Sequence, residues 1–128
     1  MMFKLTDIDE VLSSLGDHAD FATIAKREAD LGVQHFQYDV ATGATTYFGE
    51  NGYIVERRTN GLATRVAREE DAATVEKVAT SYVAGQTSLA DAVKALAAAG
   101  CQAWTANLKR QVIDFSGDEG KILAAVKF

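Results

Sequence analysis

The residue with the clearest capacity for acid–base chemistry is His35, in an alternating stretch that runs to Asp39. Side chains two positions apart share one face of a strand, so His35, Gln37 and Asp39 are expected to lie together, beside Thr46 of the next strand. A histidine near a carboxylate can act as a general base or a metal ligand. The ordinary alternative is the solvated face of an antiparallel sheet, which is polar even without a function.

The other two candidate residues have less support from their surroundings. Cys101 is the only cysteine, and it follows a predicted helix C-terminus, whose negative dipole end opposes a thiolate. We therefore predict that it is buried and has a packing role. His18 falls in a predicted turn between helices and receives no catalytic role. Because no C-x-x-C or H-E-x-x-H spacing occurs, we expect no metal site and no cofactor, and we assign no catalytic residue.

Four of the six arginines fall in one segment between residues 57 and 68. This basic segment could contact nucleic acid or an acidic partner, or it could form local surface ion pairs worth about 0–1 kcal/mol each. The net charge of −5 argues against a dominant role in binding nucleic acid or an anionic membrane. The arginines are Arg57, Arg58, Arg65 and Arg68, and the flanking acids are Glu56, Glu69, Glu70 and Asp71.

These candidates belong to a pattern that occurs twice in the chain. Shifted by 68 positions (100 minus 32), the stretch from Gly32 to Val55 falls without a gap on Gly100 to Leu123. The matches concentrate on glycines and large apolar residues, where backbone geometry and packing restrict the choice most. We predict one domain, 1–128, built by duplication. Copy one covers about 7–56, an exposed connecting segment covers 57–68, and copy two covers about 69–128.

Each copy is expected to position its residues with two helices followed by three strands. Apolar residues recur at helical spacing from Ile8 to Leu15 and again from Phe21 to Leu31, where only Glu28 interrupts the apolar stripe. The period then changes to two, which is typical of strands. The predicted fold class is α+β, with α-α-β-β-β units related by a pseudo-twofold axis and an antiparallel sheet, or two sheets, packed against helices.

Large aromatic side chains occupy the predicted inner face of the strands. They are expected to fill the core, and the alternative is that they line a ligand cavity. Phe48 falls instead on the outer face with His35, so we expect it to contact a partner. The inner-face aromatic residues are Phe36, Tyr38, Tyr47, Trp104 and Phe115.

The chain contains no apolar run near the ~18 residues of a membrane span. Its first residues lack the apolar core of a signal peptide, and one cysteine cannot form an internal disulfide. We therefore predict a cytoplasmic protein with no membrane association.

Several motifs resemble those of one known family. They are Gly-Val-x-x-Phe-x-Tyr-Asp from Gly32, Thr-Thr-Tyr-Phe-Gly from Thr45, Asn-Gly-Tyr-Ile from Asn51, Gly-Gln-Thr-Ser-Leu from Gly85 and Ala-Gly-Cys-Gln-Ala-Trp from Ala99. The resemblance is to the YbcV/YdfO-like family of small bacterial and prophage proteins of unknown function, and it covers nearly the whole chain. It implies a shared fold and no particular catalytic residue.

From these observations we predict a non-catalytic binding or protein-interaction module, such as a homodimer that uses an exposed sheet face or edge. The residues proposed for this partner face are His35, Gln37, Asp39, Thr46 and Phe48. The alternative is a small-molecule carrier or enzyme with a site around His35, Asp39 and Tyr47. Nucleic-acid binding is a third and less favoured hypothesis.

Overall fold

The structure is a computed structural model that describes residues 3–15, 19–58 and 64–128. Its regular elements are two helices followed by three strands, and then the same order again. Short 3-10 turns at Glu50–Gly52 and Asp118–Gly120 precede the third and sixth strands. The elements are α1 (Leu5–Leu15), α2 (Phe21–Leu31), β1 (His35–Asp39), β2 (Ala44–Phe48), β3 (Ile54–Arg58), α3 (Ala72–Val83), α4 (Leu89–Ala98), β4 (Ala103–Asn107), β5 (Val112–Ser116) and β6 (Ile122–Lys127).

Side-chain and glycine caps fix the ends of the helices. Asp20 begins α2 by accepting a hydrogen bond from the Thr23 backbone N–H at 3.2 Å, and Ser88 caps α4 by accepting one from the Asp91 N–H. Gly32 ends α2 in the left-handed region, with φ at 107°, where a Cβ would be strained. These caps fix both ends of α2 and the beginning of α4.

The six strands form one antiparallel sheet in the order β3-β2-β1-β4-β5-β6. The first strands of the two halves meet at its centre, where Phe36 is opposite Ala106 and Tyr38 is opposite Trp104. The predicted α+β fold with an antiparallel sheet against helices is therefore confirmed, and one sheet is formed rather than two.

The two faces of the sheet differ in burial. Phe36, Tyr47, Trp104 and Phe115 lie in one core cluster with the apolar sides of the helices. The residues at alternate positions of the same strands, including His35, are exposed or half-exposed. The alternation of side chains along the strands therefore predicted correctly which residues lie on the inner face and which lie on the outer face.

Corresponding strands of the two halves begin 68 residues apart, as shown by β1 and β4 (103 minus 35) and by β2 and β5 (112 minus 44). This repeat of element order agrees with the sequence pattern. The origin of the two halves by tandem duplication stays a prediction.

The third strand extends further than the sequence indicated. Arg57 and Arg58, which we assigned to the connecting segment, belong to β3 and are opposite Thr45 and Ala44. A charged residue is tolerated at the inward position 57 because its guanidinium is paired with Asp9 of α1. The predicted Asn60-Gly61 turn and His18 lie outside the described residues.

Candidate functional site

A cavity of about 60 Å³ lies between the helices and the inner face of the sheet. Most of its lining comes from the first half of the chain, and three residues come from the second half. A water molecule needs roughly 10–15 Å³ of such cavity volume. The cavity therefore has room for a few waters or for a ligand group of similar size. The residues around it are Leu12, Phe21, Ile24, Glu28, Phe36, Tyr38, Thr45, Tyr47, Arg57, Tyr82, Leu89 and Trp104.

The helix α2 presents a carboxyl group to this cavity. Glu28 is the residue that interrupts the apolar stripe, and it is only 1% exposed. Burial raises the pKa of Glu28 to about 8, although the Tyr47 hydroxyl bonded to it and the nearby charge of Arg57 act in the opposite direction. At neutral pH most of the free protein therefore carries Glu28 in its protonated, neutral form.

Two buried polar atoms of the cavity lining have no hydrogen-bond partner among the described residues. They are Oε1 of Glu28 and the hydroxyl oxygen of Tyr38. Leaving such a group unsatisfied costs about 1–3 kcal/mol, and buried polar groups in folded proteins almost always have a partner. This cavity therefore has the polar groups to hold a bound molecule or ordered water.

Three tyrosines line the cavity together with the Glu28 carboxyl. Burial raises the pKa of Tyr47 well above its usual value, and the adjacent Glu28 raises it further. Burial likewise raises the pKa of Tyr82 on α3 and of Tyr38 on β1. All three phenols thus stay neutral over the range in which Glu28 titrates, and they act as hydrogen-bond donors or acceptors.

The rim of the cavity carries an ion pair. Nε of Arg57 lies 2.6 Å from Oδ1 of Asp9, and the two side chains are 25% and 48% exposed. Ionised Glu28, Asp9 and Arg57 together sum to a charge of −1, and protonation of Glu28 brings this sum to zero.

Aromatic rings form the walls. Tyr38 and Trp104 are stacked, with centroids 4.3 Å apart, and Tyr82 contacts Trp104 at 5.6 Å. Phe21 and Phe36 meet at 5.7 Å on the other side. The site is therefore one carboxyl group and several phenols within an apolar, π-rich enclosure.

The predicted residues around His35 are not brought together with this cavity. His35 and Asp39 lie on the outer face, at opposite ends of β1, where four residues span about 13 Å. They border separate surface grooves of about 370 and 480 Å³. Tyr47 is the one member of the predicted His35–Asp39–Tyr47 site that lines the cavity, so these three side chains share no common site.

The outer-face residues have local partners. The ring of His35 stacks on Phe48, with centroids 4.3 Å apart and an interplanar angle of 11°. Asp39 accepts hydrogen bonds from the backbone N–H groups of Ala41 and Thr42 at 3.0 and 3.3 Å, which stabilises the following turn. Gln37 and Thr46 are paired between these two features.

The remaining candidates lie away from the cavity or in the core. Cys101 is fully buried, and burial raises the pKa of its thiol to about 11, as a packing role requires. Arg58 pairs with Glu56 at 2.8 Å, one of the local ion pairs considered for the basic segment. Arg65 and Arg68 are exposed.

Sequence reasoning missed the roles of Glu28, Tyr82 and Arg57 in one site. The available signal was Glu28 itself, a charge within the apolar stripe of α2. Arg57 gave no signal, because it is 29 residues further along the chain (57 minus 28) and resembled part of an exposed basic segment.

Comparison with known proteins gives a family but no activity. The sequence model of the family described as "Protein of unknown function (DUF1398)" matches residues 10–125. No curated protein matches the chain. Within residues 3–15, 19–58 and 64–128, no helix has the length and hydrophobicity of a membrane span, and no group of three or more His, Cys, Asp or Glu could hold a metal ion.

Proposed function

The chain belongs to the DUF1398 family of proteins of unknown function, and we propose that it is a binding domain for a small molecule held in the Glu28 cavity. This is the alternative hypothesis of the sequence analysis, moved from the outer face of the sheet to its inner face. One observation carries it. Two buried oxygens that have no partner in the described protein, Glu28 Oε1 and the Tyr38 hydroxyl, line the same cavity.

The size of the cavity restricts the ligand. Sites for drug-sized molecules occupy about 300–1,000 Å³, far more than this cavity offers. The ligand is therefore a molecule of a few heavy atoms, or the end group of a larger molecule that extends past Arg57 at the rim. Binding rather than catalysis is favoured, because Glu28 is the only carboxyl group among the described lining residues and burial raises the pKa of the phenols that accompany it.

A thermal-shift panel of small amines, alcohols, amides and carboxylic acids tests this proposal. A ligand at 100 times its Kd should add about 2.7 kcal/mol to the free energy of unfolding. Glu28→Leu, which replaces the carboxyl with an apolar side chain, should abolish the shift. His35→Ala, on the outer face, is the matched control and should leave it unchanged. The proposal fails if no compound stabilises the wild type, or if the shift persists in Glu28→Leu.

We propose a second candidate function on the partner face defined above, with a second copy of this chain as the occupant. The stacked His35 and Phe48 rings lie beside Ile54, which is opposite Phe48 in the register and 56% exposed. The strand order has β1 and β4 at its centre. A second copy, rotated by a half turn about an axis that runs parallel to these two strands, would place its outer face against this one, with its β5 on β2. Phe48 would then be covered by Val112 of the partner subunit.

Sedimentation velocity at protein concentrations between about 1 and 100 µM tests this dimer, because weak homodimers have Kd values of roughly this size. The wild type should sediment increasingly as a dimer, and Phe48→Ser should shift the equilibrium to the monomer. Lys77→Ala, at an exposed position of α3 and so away from this face, is the control and should leave the equilibrium unchanged. A monomeric wild type throughout this range would remove the proposal.

We also infer the finer assignments that the motifs imply, namely a YbcV/YdfO-like subgroup, a bacterial or prophage origin and a cytoplasmic location. The motif glycines and aromatic residues fall within the matched region 10–125, which supports this inference. Phage genes on both sides of the gene would favour it, and a conserved chromosomal operon of metabolic genes would argue against the prophage origin.

A further inference from the structure

We propose that the ligand of the Glu28 cavity is a small alkylammonium ion, or the ammonium end of a larger amine, bound between Glu28 and Tyr38. This inference rests on the proposed function and specifies its ligand class. It starts from the two oxygens without a partner, Glu28 Oε1 and the Tyr38 hydroxyl. A carboxylate oxygen and a phenol oxygen both accept hydrogen bonds, and an alkylammonium group supplies three N–H donors and no acceptor.

The walls of the cavity favour the same ligand. Tyr38, Trp104, Tyr82, Phe21 and Phe36 all line it. Aromatic rings attract a cation through the negative face of their π-systems, and enclosures of aromatic residues are a recurring way to hold ammonium groups. An apolar alkyl tail would contact the same rings without leaving a polar atom unsatisfied.

The charge balance supplies the third argument. Arg57 is the cation at the rim, and Asp9 is bound to it at 2.6 Å. Ionised Glu28, Asp9 and Arg57 therefore sum to a charge of −1 among the described groups, which one ammonium ion neutralises. An anionic ligand would instead meet the carboxyl of Glu28 and would compete with Asp9 for Arg57.

The occupied site requires a change of protonation. Glu28 is mainly neutral in the free protein because burial raises its pKa to about 8, and an ammonium ion favours the ionised carboxylate. Binding should therefore release about one proton from Glu28 near pH 7. The groups that line the cavity with Glu28 are Tyr38, Tyr47, Tyr82 and Arg57. Burial raises the pKa of each of the three tyrosines further from this range.

Isothermal titration with propylammonium chloride and the neutral isostere 1-propanol tests the inference at pH 7.5, with sodium chloride matching the ionic strength. We expect propylammonium to bind at least about tenfold more tightly than 1-propanol, since a charge-assisted hydrogen bond is worth roughly twice a neutral one. Glu28→Gln should weaken propylammonium at least about tenfold and leave 1-propanol within about twofold. The indole N–H resonance of Trp104 reports on the cavity in each complex.

A pH series on the wild type gives a test that needs no variant. The affinity for propylammonium should rise about tenfold per pH unit below pH 8 and level off above it, whereas the affinity for 1-propanol should not change. Titrations in two buffers of different ionisation enthalpy should show the released proton directly. Tyr38→Phe, which keeps the ring and removes the acceptor, should weaken propylammonium several-fold.

The outcomes separate the two proposals. Equal binding of propylammonium and 1-propanol, without proton release, would overturn the ammonium assignment and leave a small-molecule site. Tighter binding of acetamide than of propylammonium would also overturn it. If none of the three probes binds and the broader panel gives no shift, the proposed function itself is wrong.

Discussion

Position 28 in α2 and position 96 in α4 correspond at the spacing of 68 residues (96 minus 28), yet the first is a buried glutamate and the second a buried leucine. The same contrast holds for the polar groups that the strands of the first half contribute to the cavity. Tyr38, Thr45 and Tyr47 correspond to Ala106, Ile113 and Phe115, all fully buried. Arg57 is opposite Thr45 in its sheet register, and the residue opposite Ile113 is Val126, because a bulge shifts β6 by one position.

This difference shows which residues the shared arrangement of helices and strands requires. The second half forms the same order of helices and strands, and its corresponding positions are apolar. The fold therefore does not need a buried acid, two strand phenols or an inward arginine at these positions. Burying such groups opposes folding unless they are paired. Stability alone therefore does not explain why the first half places these groups around one cavity, and the proposed function does.

The largest expected effect is the pH dependence of the first half. Glu28 has a folded pKa of about 8, against 4.5 for its ordinary value, so the folded state retains a proton that the unfolded state loses. The contribution of the protonated group is complete below pH 4.5 and is lost as the pH rises to 8. The total is up to about 5 kcal/mol, at 1.36 kcal/mol per pKa unit.

Urea unfolding at intervals between pH 4.5 and 8.5 measures this slope. The difference in the free energy of unfolding between Glu28→Gln and the wild type should grow with pH across the window, because glutamine does not titrate. A difference that stays constant with pH would show that water solvates the Glu28 carboxyl and that its pKa is close to the ordinary value. The main contrast between the halves would then be removed.

The converse substitution should have the next largest effect. Leu96→Glu introduces a carboxyl into the well-packed second half, where no corresponding phenol or guanidinium is present, and should destabilise the protein by about 4 kcal/mol at pH 7. Leu96→Met is the control for lost packing and should cost less than about 1.5 kcal/mol. Equal tolerance of glutamate at positions 28 and 96 would contradict the proposed difference between their environments.

A smaller effect is expected at the rim. Asp9→Asn removes the partner of Arg57 in a half-exposed pair, which should lower the free energy of unfolding by only about 0–1 kcal/mol. The same substitution should weaken ammonium binding, because it removes one negative charge and the sum over positions 9, 28 and 57 changes from −1 to zero. Glu56→Gln, which removes the partner of the exposed Arg58, should leave binding unchanged, and the two variants can be compared by titration.

Sequence periodicity was sufficient to predict the helices, the strands and their buried faces, but it did not predict the cavity. The change of period from 3.6 to 2 placed Phe36, Tyr47 and Phe115 inward, because local geometry alone decides which side chains share a face. The cavity depends on contacts between distant residues, such as Arg57 with Asp9. Glu28 could be noticed as a charge in an apolar stripe, but its solvation is set by strands that follow it, and no local pattern describes these.

The sheet order has one more consequence, for how the chain can be divided. Within each half the strands pair only with their neighbours in sequence, and the halves join through β1 and β4 at the middle of the sheet. Two separately expressed polypeptides, one ending at Arg58 and the other beginning at Thr64, should therefore find each other and rebuild the molecule. Such fragment complementation would make this small protein usable as a split reporter whose signal appears only when both pieces meet.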